Sequence, residues 1–523
     1  MFGMHTPAQF LLIFTIFLLL SMRPLSMLLA DISSPVIVQG SVDISISAVR
    51  YDCAMVEPGD MFVAAPDLEI EHEYTNIQQA LARGAQCIVS SQAYDSPSHT
   101  YTMIRVPDGR IALAEALYSF HDNPQRSMNI YGITGTNGKT TSTFMLRALL
   151  EEAGETTGLI GTTGNYIRNT VYPTNFSTPE AHLLCDLFVR MRSAGVRAVV
   201  METTSHGMEL ERVAAIPFAG TIFTNLTQDH LDFHGSMENY ARAKKKLFDR
   251  MKPHSIAIVN RDSSYADFMI QDCPAHKIFT FGRNESADIR ISNEILGLEM
   301  TEFLLQFAPH IAHPRLLSLA MNFIGRFNVE NATGCLALCR ALGIDASTLQ
   351  RGMARATGAP GRMQRIVVPG HGLAVVDFAH SPDSLEKALA TCRIILQETE
   401  STGKIFCVFG CGGDRDRTKR PQMGAIAAHN ADYVMITSDN PRFEDPASII
   451  ADIIEGIPPA HRSNVEQYID RGEAVTQALR RSRRGDIVLI AGKGHEEYQI
   501  IGKEYVPYSD VNVVMSMARQ GGS

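Results

Sequence analysis

At 523 residues the chain is too long for one hydrophobic core, so about two to four domains are expected. Its 45% apolar and 20% charged residues, with no low-complexity tract, exclude a disordered or fibrous class and describe a globular protein. A formal net charge of −9 argues against non-specific nucleic-acid binding, so any anionic ligand must be held by local Arg, Lys and backbone donors.

Phe10 to Leu20 is an apolar run of eleven residues, too short to span a bilayer, with nothing basic before it and no small-residue cleavage pattern after it. The chain is therefore expected to start at Met22, with 1–21 an upstream extension and no stable membrane insertion. An amphipathic helix is expected from Met22 to Ala30. A first block, 22–126, alternates short strands such as Asp60–Ala64 with helices such as Ile77–Arg83, and ends in the polar linker Phe120–Arg126. A second block, 127–357, carries strands near Asn129–Thr134, Ala198–Met201, Gly220–Phe223 and Ile256–Val259. The glycine-rich punctuation Gly358–Gly361 opens a third block, 358–523, with strands near Leu373–Val376, Ile405–Phe409, Tyr433–Ile436 and Ile487–Ile490. Strands alternating with helices imply an α/β fold, with parallel doubly wound sheets in every block. The nine cysteines include no C-x-x-C pair and read as free thiols of a reducing compartment.

Gly135-Thr136-Asn137-Gly138-Lys139-Thr140-Thr141 lies between a strand and a helix predicted over Ser142–Glu152. This is the context of a phosphate-binding loop: glycines bring backbone N–H groups to phosphate oxygens, and the helix N-terminus adds partial positive charge. Ile133 stands where the longer G-x-x-x-x-G-K-[ST] pattern has its first glycine, so the match is to a shorter G-x-x-G-K-T form. Lys139 would reach the terminal phosphates and the Thr140 hydroxyl would ligate Mg²⁺. At the next strand end, Met201-Glu202-Thr203-Thr204-Ser205-His206-Gly207 places Glu202 as a second oxygen ligand for that ion. Thr224-Asn225-Leu226-Thr227-Gln228-Asp229-His230-Leu231-Asp232-Phe233-His234-Gly235 follows another strand in the same way.

These motifs together resemble the Mur ligases, ATP-dependent amide-forming enzymes that build the peptide of the peptidoglycan precursor. Among them, the likeness is greatest to the third-residue-adding member, and it runs from about Met22 to the C-terminus. The resemblance implies a three-domain architecture with an N-terminal UDP-binding domain, a central P-loop ATPase domain and a Rossmann-like C-terminal domain that binds the amino acid. It implies Lys139, His230 and Lys244 as catalytic groups, Lys244 matching a lysine that the family carbamylates. With Thr140 and Glu202, His230 and carbamylated Lys244 would hold Mg²⁺ against the phosphates of ATP. Gly135 to Thr141, Asn331 in Gly325-Arg326-Phe327-Asn328-Val329-Glu330-Asn331, Arg362, Asp377 and His380 would contact ATP, with Gly358–Gly361 as a hinge.

For the acceptor, UDP-MurNAc-L-Ala-D-Glu, the family pattern falls on Cys53, Ser177, Thr178, Thr204 and Arg212. Leu210 stands where relatives often have a polar residue, and Asp52-Cys53-Ala54 stands where they usually read D-S-R. Asp439-Asn440-Pro441-Arg442 matches the D-N-P-R signature of meso-diaminopimelate-adding members, Arg442 gripping the distal carboxylate. Arg415, Gly492 and Glu496 complete that pattern. The resemblance implies ATP and Mg²⁺ as cofactors, an acyl-phosphate route, a cytoplasmic location and a monomer. Addition of L-lysine or L-ornithine, a folylpolyglutamate synthetase, the D-Ala-D-Ala-adding relative, and a nucleotide-binding scaffold without ligase activity stand as alternatives. The last draws on the atypical first domain.

Overall fold

The computed structural model describes residues 22–64, 70–92, 94, 100–311 and 315–520. The expected extension 1–21, and most of the segment that follows Ala64, lie outside them.

Three mixed sheets organise the chain. The first, in strand order Val36–Gln39, Thr102–Arg105, Cys87–Ser90, Met61–Ala64 and Val49–Arg50, is parallel except at its Val36 edge. The central sheet has eleven strands. Seven of them are parallel, in the order Thr157–Gly161, Ala198–Glu202, Asn129–Thr134, Phe218–Phe223, Ile256–Asn260, Lys277–Gly282 and Ile289–Leu296. Hairpins continue it antiparallel on both sides, through Gly164–Ile167 and Thr170–Tyr172 at one edge and, from Ile289–Leu296 on, through Thr301–Phe307 and Leu316–Met321 at the other. The third sheet runs Gln364–Ile366, Leu373–Asp377, Ile487–Ala491, Ile405–Phe409, Tyr433–Thr437 and Val465–Tyr468, antiparallel only at its first strand. Purely parallel sheets were expected from strand–helix alternation, and the structure corrects this. Short tight connections such as Gly161 to Gly164 leave no room for a crossover helix, so these strands pair antiparallel.

Position in the sheets sets the site. Asn129–Thr134 has both later strands, Ala198–Glu202 and Phe218–Phe223, as neighbours, so the chain reverses its direction of winding there. Ligands of open α/β sheets bind at the carboxyl ends of strands flanking such a reversal. All five residues of Ala198–Glu202 are buried, as parallel strands covered on both faces should be.

The helix after the phosphate loop begins at Lys139, three residues before the predicted start, because Gly138 adopts φ +85 and turns the chain directly into it. Met145, Leu146, Leu149 and Leu150 recur at helical spacing on its inner face and join one cluster with Val329, Leu336 and Leu349. The expected N-terminal helix runs Leu25–Asp31, because Arg23–Pro24 pairs instead with Ser45–Ile46. The helix predicted over Ile77–Arg83 is longer, Ile70–Ala82. Helix Pro382–Glu398 starts with a reciprocal cap, the Ser381 and Ser384 side chains each bonding the other's backbone, and Pro382 in the first turn. Ser381→Ala is expected to lower stability by about 1 kcal/mol, read as a drop in the thermal midpoint.

Hydrophobic packing does not follow the sheets one for one. A single cluster runs from Leu25, Leu28 and Val63 through Leu117 to Ile130, Phe188 and Phe248, because helix Gly109–Phe120 lies on helix Ala181–Ser193. The stretch read as a polar linker is tied down over this contact. Gln125 is fully buried and donates to Ala215 O at 3.3 Å, and Arg192 donates to the carbonyls of His121 and Asp122 at 3.1 and 3.2 Å. The third sheet carries its own clusters on its two faces, centred on Leu389 and Leu489 and on Val475 and Val488. All nine cysteines are free thiols. Among the described residues no helix is long and apolar enough to cross a membrane.

Candidate functional site

The carboxyl ends of Asn129–Thr134 and Ala198–Glu202 open into a cavity of about 1190 Å³. The whole loop Thr136 to Thr141 lines it, with Glu202, His206, Arg212, His230, Arg362 and Asp377. A Cβ on Gly138 would stand 2.2 Å from Asn331 Oδ1, so the absent side chain lets the loop close on that asparagine. Asn331 is itself buried and donates to Asn328 Oδ1 at 3.2 Å.

Two lysines converge on the loop. Lys139 Nζ donates to Gly135 O and Thr136 O, both at 2.9 Å, and Lys244 Nζ donates to the same Gly135 O at 2.9 Å. Lys244 is buried and its Nζ sits 4.4 Å from the centre of the Tyr240 ring. Burial drives its ammonium well below the ordinary lysine value, the charge of Lys139 adds to this, and Asp229 opposes it. Burial also lowers Lys139, against the pull of Glu202 and Asp229. Lowering a lysine in this way favours its neutral, nucleophilic amine over the ammonium.

Thr140 Oγ1 donates to Glu202 Oε1 at 2.9 Å. The buried Glu202 carboxylate also accepts from Thr162 N at 2.8 Å and Thr162 Oγ1 at 3.1 Å. A hydroxyl and a carboxylate at a helix N-terminus, beside phosphate-binding amides, are the hard oxygen donors that Mg²⁺ prefers. His230 sits at φ +52, half-exposed, its ring 4.9 Å from His206. As an ammonium Lys244 offers no lone pair and as an amine only a nitrogen, neither of which suits Mg²⁺, so it would fit a ligand role only with a carboxylate added to that nitrogen. Among the described residues no group of three or more His, Cys, Asp or Glu is assembled as a metal cluster.

The acceptor-side residues form a connected hydrogen-bond chain. Ser177 Oγ and Thr162 Oγ1 share a bond of 2.7 Å, Thr178 Oγ1 donates to Glu202 O at 2.8 Å, and Thr204 Oγ1 donates to Thr178 Oγ1 at 3.1 Å. Arg212 donates to Thr178 O at 3.1 Å and pairs with Glu180 at 2.6 Å, its guanidinium 4.9 Å from the Phe176 ring. It lines both the main cavity and a second one of about 650 Å³, which also holds Tyr51, Cys53, Asn76 and Leu210. Cys53 Sγ donates to Gln79 Oε1 at 3.2 Å. Tyr51 stacks on His182 at 4.2 Å between ring centres, closing that second cavity from both sides.

Across the hinge, Asp377 Oδ2 accepts from Met363 N at 2.7 Å and Oδ1 from Ala379 N at 2.9 Å. Burial raises its carboxyl, while those amides and Arg362 pull it back. Arg362 lies 5.3 Å from the centre of the Phe378 ring and its buried Nε has no partner. His380 departs from expectation. Its exposed ring turns back to Phe378 O at 2.8 Å and does not line the cavity, because the capped turn into helix Pro382–Glu398 carries it outward.

A separate cluster sits at neighbouring strand ends of the third sheet. Arg442, at φ +52, donates from Nη1 to Gly413 O at 2.8 Å, and a Cβ on Gly412 would stand 2.9 Å from that nitrogen and 3.7 Å from Arg415 Cγ. Gly413 N is held by Asn440 O at 2.9 Å, and the backbone of Pro441 packs against Gly413. A Cβ on Gly492 would stand 2.6 Å from Asp439 Oδ2. Asn440 Nδ2 donates to Glu496 Oε2 at 3.1 Å. The structure thus gathers Arg415, Asp439 to Arg442, Gly492 and Glu496 in one place. Sequence reasoning passed over Lys493, buried at the middle of this cluster, although it lies inside the same Gly-Lys-Gly-His-Glu run. It also passed over Thr162, which follows a strand end and was findable by the rule that picked out Glu202.

A family model described as the Mur ligase middle domain matches residues 133–339, and one described as the Mur ligase, glutamate ligase domain matches 361–494. A UDP-N-acetylmuramoyl-L-alanyl-D-glutamate–2,6-diaminopimelate ligase of Syntrophomonas wolfei is 37% identical over 92% of this chain and 96% of its own length. A protein of the same name from Gloeobacter violaceus is 38% identical over 90% of this chain and 93% of its own. A solved structure of a ligase of that name superposes with a TM-score of 0.69 at 32% identity, covering 91% of this chain and 96% of that one. With the phosphate loop, the Thr140–Glu202 pair and the strand-end arginine in place, these matches establish that the chain belongs to the Mur ligase family of ATP-dependent amide-forming ligases.

Proposed function

We propose that this ligase adds meso-2,6-diaminopimelate to UDP-MurNAc-L-Ala-D-Glu, as a cytoplasmic monomer. The observation that carries the reading is Arg442 in its D-N-P-R loop. Its Nη1 is anchored on Gly413 O, leaving Nε and Nη2 without a protein acceptor among the described residues, ready for a carboxylate that L-lysine and L-ornithine lack at that end. The names of the relatives support the same substrate.

Backbone amides of Gly135 to Thr141 cradle the ATP phosphates, and Lys139 leaves its carbonyl contacts to reach the terminal one. The acceptor carboxylate, held near Ser177, Thr178, Thr204 and Arg212, attacks the γ-phosphorus, forming an acyl phosphate as ADP leaves. The diamino acid's amine then attacks the acyl carbon, the amide forms and phosphate departs. Mg²⁺, when bound by Thr140 and Glu202, neutralises phosphate charge. Lys244, if carbamylated by CO₂, would with His230 supply a second set of ligands. Closure about Gly358–Gly361 brings Arg362 and Asp377 to the nucleotide and excludes water from the acyl phosphate.

Phosphate release from ATP by the chain starting at Met22, given UDP-MurNAc-L-Ala-D-Glu and either meso-diaminopimelate, L-lysine or L-ornithine, tests this. Strong preference for diaminopimelate is expected. Preference for either of the others would keep the ligase and discard the substrate.

A further inference from the structure

A fully buried lysine must have its charge and its three donors satisfied, and the groups that satisfy it reveal its task. Lys493 has no exposed surface. Its Nζ donates to Asn440 Oδ1 at 3.0 Å and to Glu496 Oε2 at 2.9 Å, and stands 3.8 Å from Asp439 Oδ1. Asn440 Nδ2 donates to the same Glu496 Oε2 at 3.1 Å, and Asn440 Oδ1 also accepts from Ile500 N at 3.0 Å. One oxygen of Glu496 is thus saturated by two donors, and Oε1 keeps no protein donor among the described residues. The side chain of Glu496 is 21% exposed, so it is not sealed off from a ligand at this cluster.

Charge counts as much as geometry. Asp439 and Glu496 are two carboxylates close to one ammonium. With Arg442 and Arg415 beside them, the cluster carries two negative and three positive charges. That balance suits a zwitterionic head, one carboxylate with one ammonium. Without the lysine the count would be two negative and two positive, and Asp439 and Glu496 would lose the ammonium that stands 3.8 and 2.9 Å from them, which shifts that end of the cluster toward a lone ammonium.

We infer that Lys493 is a positioning residue for amino-acid selection: it locks Glu496 so that a single carboxylate oxygen meets the substrate ammonium, and it cancels the charge that would otherwise favour a diamine head without a carboxylate. This rests on the reading of Arg442 as the carboxylate contact.

The test uses the full chain from Met22, as wild type, Lys493→Gln and Lys493→Met, in the phosphate-release assay with meso-diaminopimelate and with L-lysine. Glutamine retains a donor for Asn440 and Glu496 but no charge; methionine retains neither. The expected result is a rise of about 10- to 100-fold in KM for diaminopimelate, concentrated in KM rather than kcat. The ratio of kcat/KM for diaminopimelate over L-lysine falls by about tenfold or more in both variants, while ATP affinity and the melting midpoint of Lys493→Gln stay near wild type. An unchanged ratio in Lys493→Gln overturns the inference. So does a parallel loss of ATP affinity, or failure of both variants to fold, because each assigns the lysine to structure. A wild type that prefers L-lysine sinks the reading of Arg442 separately, since that result is seen before any variant is compared.

Discussion

Lys244→Met is expected to cut ATP-dependent phosphate release by about 10²–10³-fold, the cost of removing one preorganised electrostatic contact from a transferring group. Its thermal midpoint is expected to stay level or rise. The two effects separate because Lys244 is a poor structural investment. Its amine is buried, repelled by Lys139, and bonded only to Gly135 O, which also accepts from Lys139. Methionine fills similar volume beside the Tyr240 ring without that desolvation cost, and leaves Gly135 O satisfied. Such a residue is kept for chemistry. The comparison is made with both proteins in CO₂-free buffer and again after adding bicarbonate: wild-type activity rises and the variant's does not. A variant that melts lower and works as well as wild type would return Lys244 to the ordinary basic face of its helix.

Arg442→Ala is expected to lower kcat/KM for diaminopimelate by about 10²-fold or more, the range for losing one partner of a desolvated charge pair. L-Lysine, with no second carboxylate, should lose far less. The loop itself is expected to survive, because its shape does not depend on the guanidinium. Arg442 N donates to Ile500 O at 2.9 Å, and Gly502 N to Arg442 O at 2.7 Å. The neighbouring turn is braced separately by the buried Arg420, which pairs with Glu444 at 2.8 Å while Glu444 accepts from Asp414 N at 2.6 Å. Comparable losses with both amino acids would show instead that Arg442 holds the loop.

Much of this was legible in the sequence because it depends on local rules. The run Asn129–Thr134 was read to the residue, since six mostly apolar residues before a glycine loop admit one interpretation. Thr140 and Glu202 were found because a strand end is recognisable in one dimension, and the D-N-P-R loop because it matches a family signature. What was missed depends on neighbours distant in the chain. Lys493 reads as an ordinary lysine until Asp439 and Asn440, more than fifty residues earlier, are seen packed around it. The antiparallel edges escaped because a short strand carries no mark of the direction of its partner. His380 was placed at the nucleotide by its motif, whereas its ring orientation is decided by the turn that caps the next helix.

The apolar cluster shared by Val63, Leu117 and Phe188 also bears on how the molecule comes apart. No separate core stands between the first sheet and the central one along helix Gly109–Phe120, so neither can lose its packing without exposing the other's. The third sheet is covered mainly by its own helices, and its cluster takes in little from the central block beyond Ile324 and Leu298. Calorimetry is therefore expected to resolve two cooperative units, one holding the first and central sheets and one the third, divided near Gly358–Gly361. The joint proposed to close over the nucleotide would then also be the joint at which the protein's stability divides.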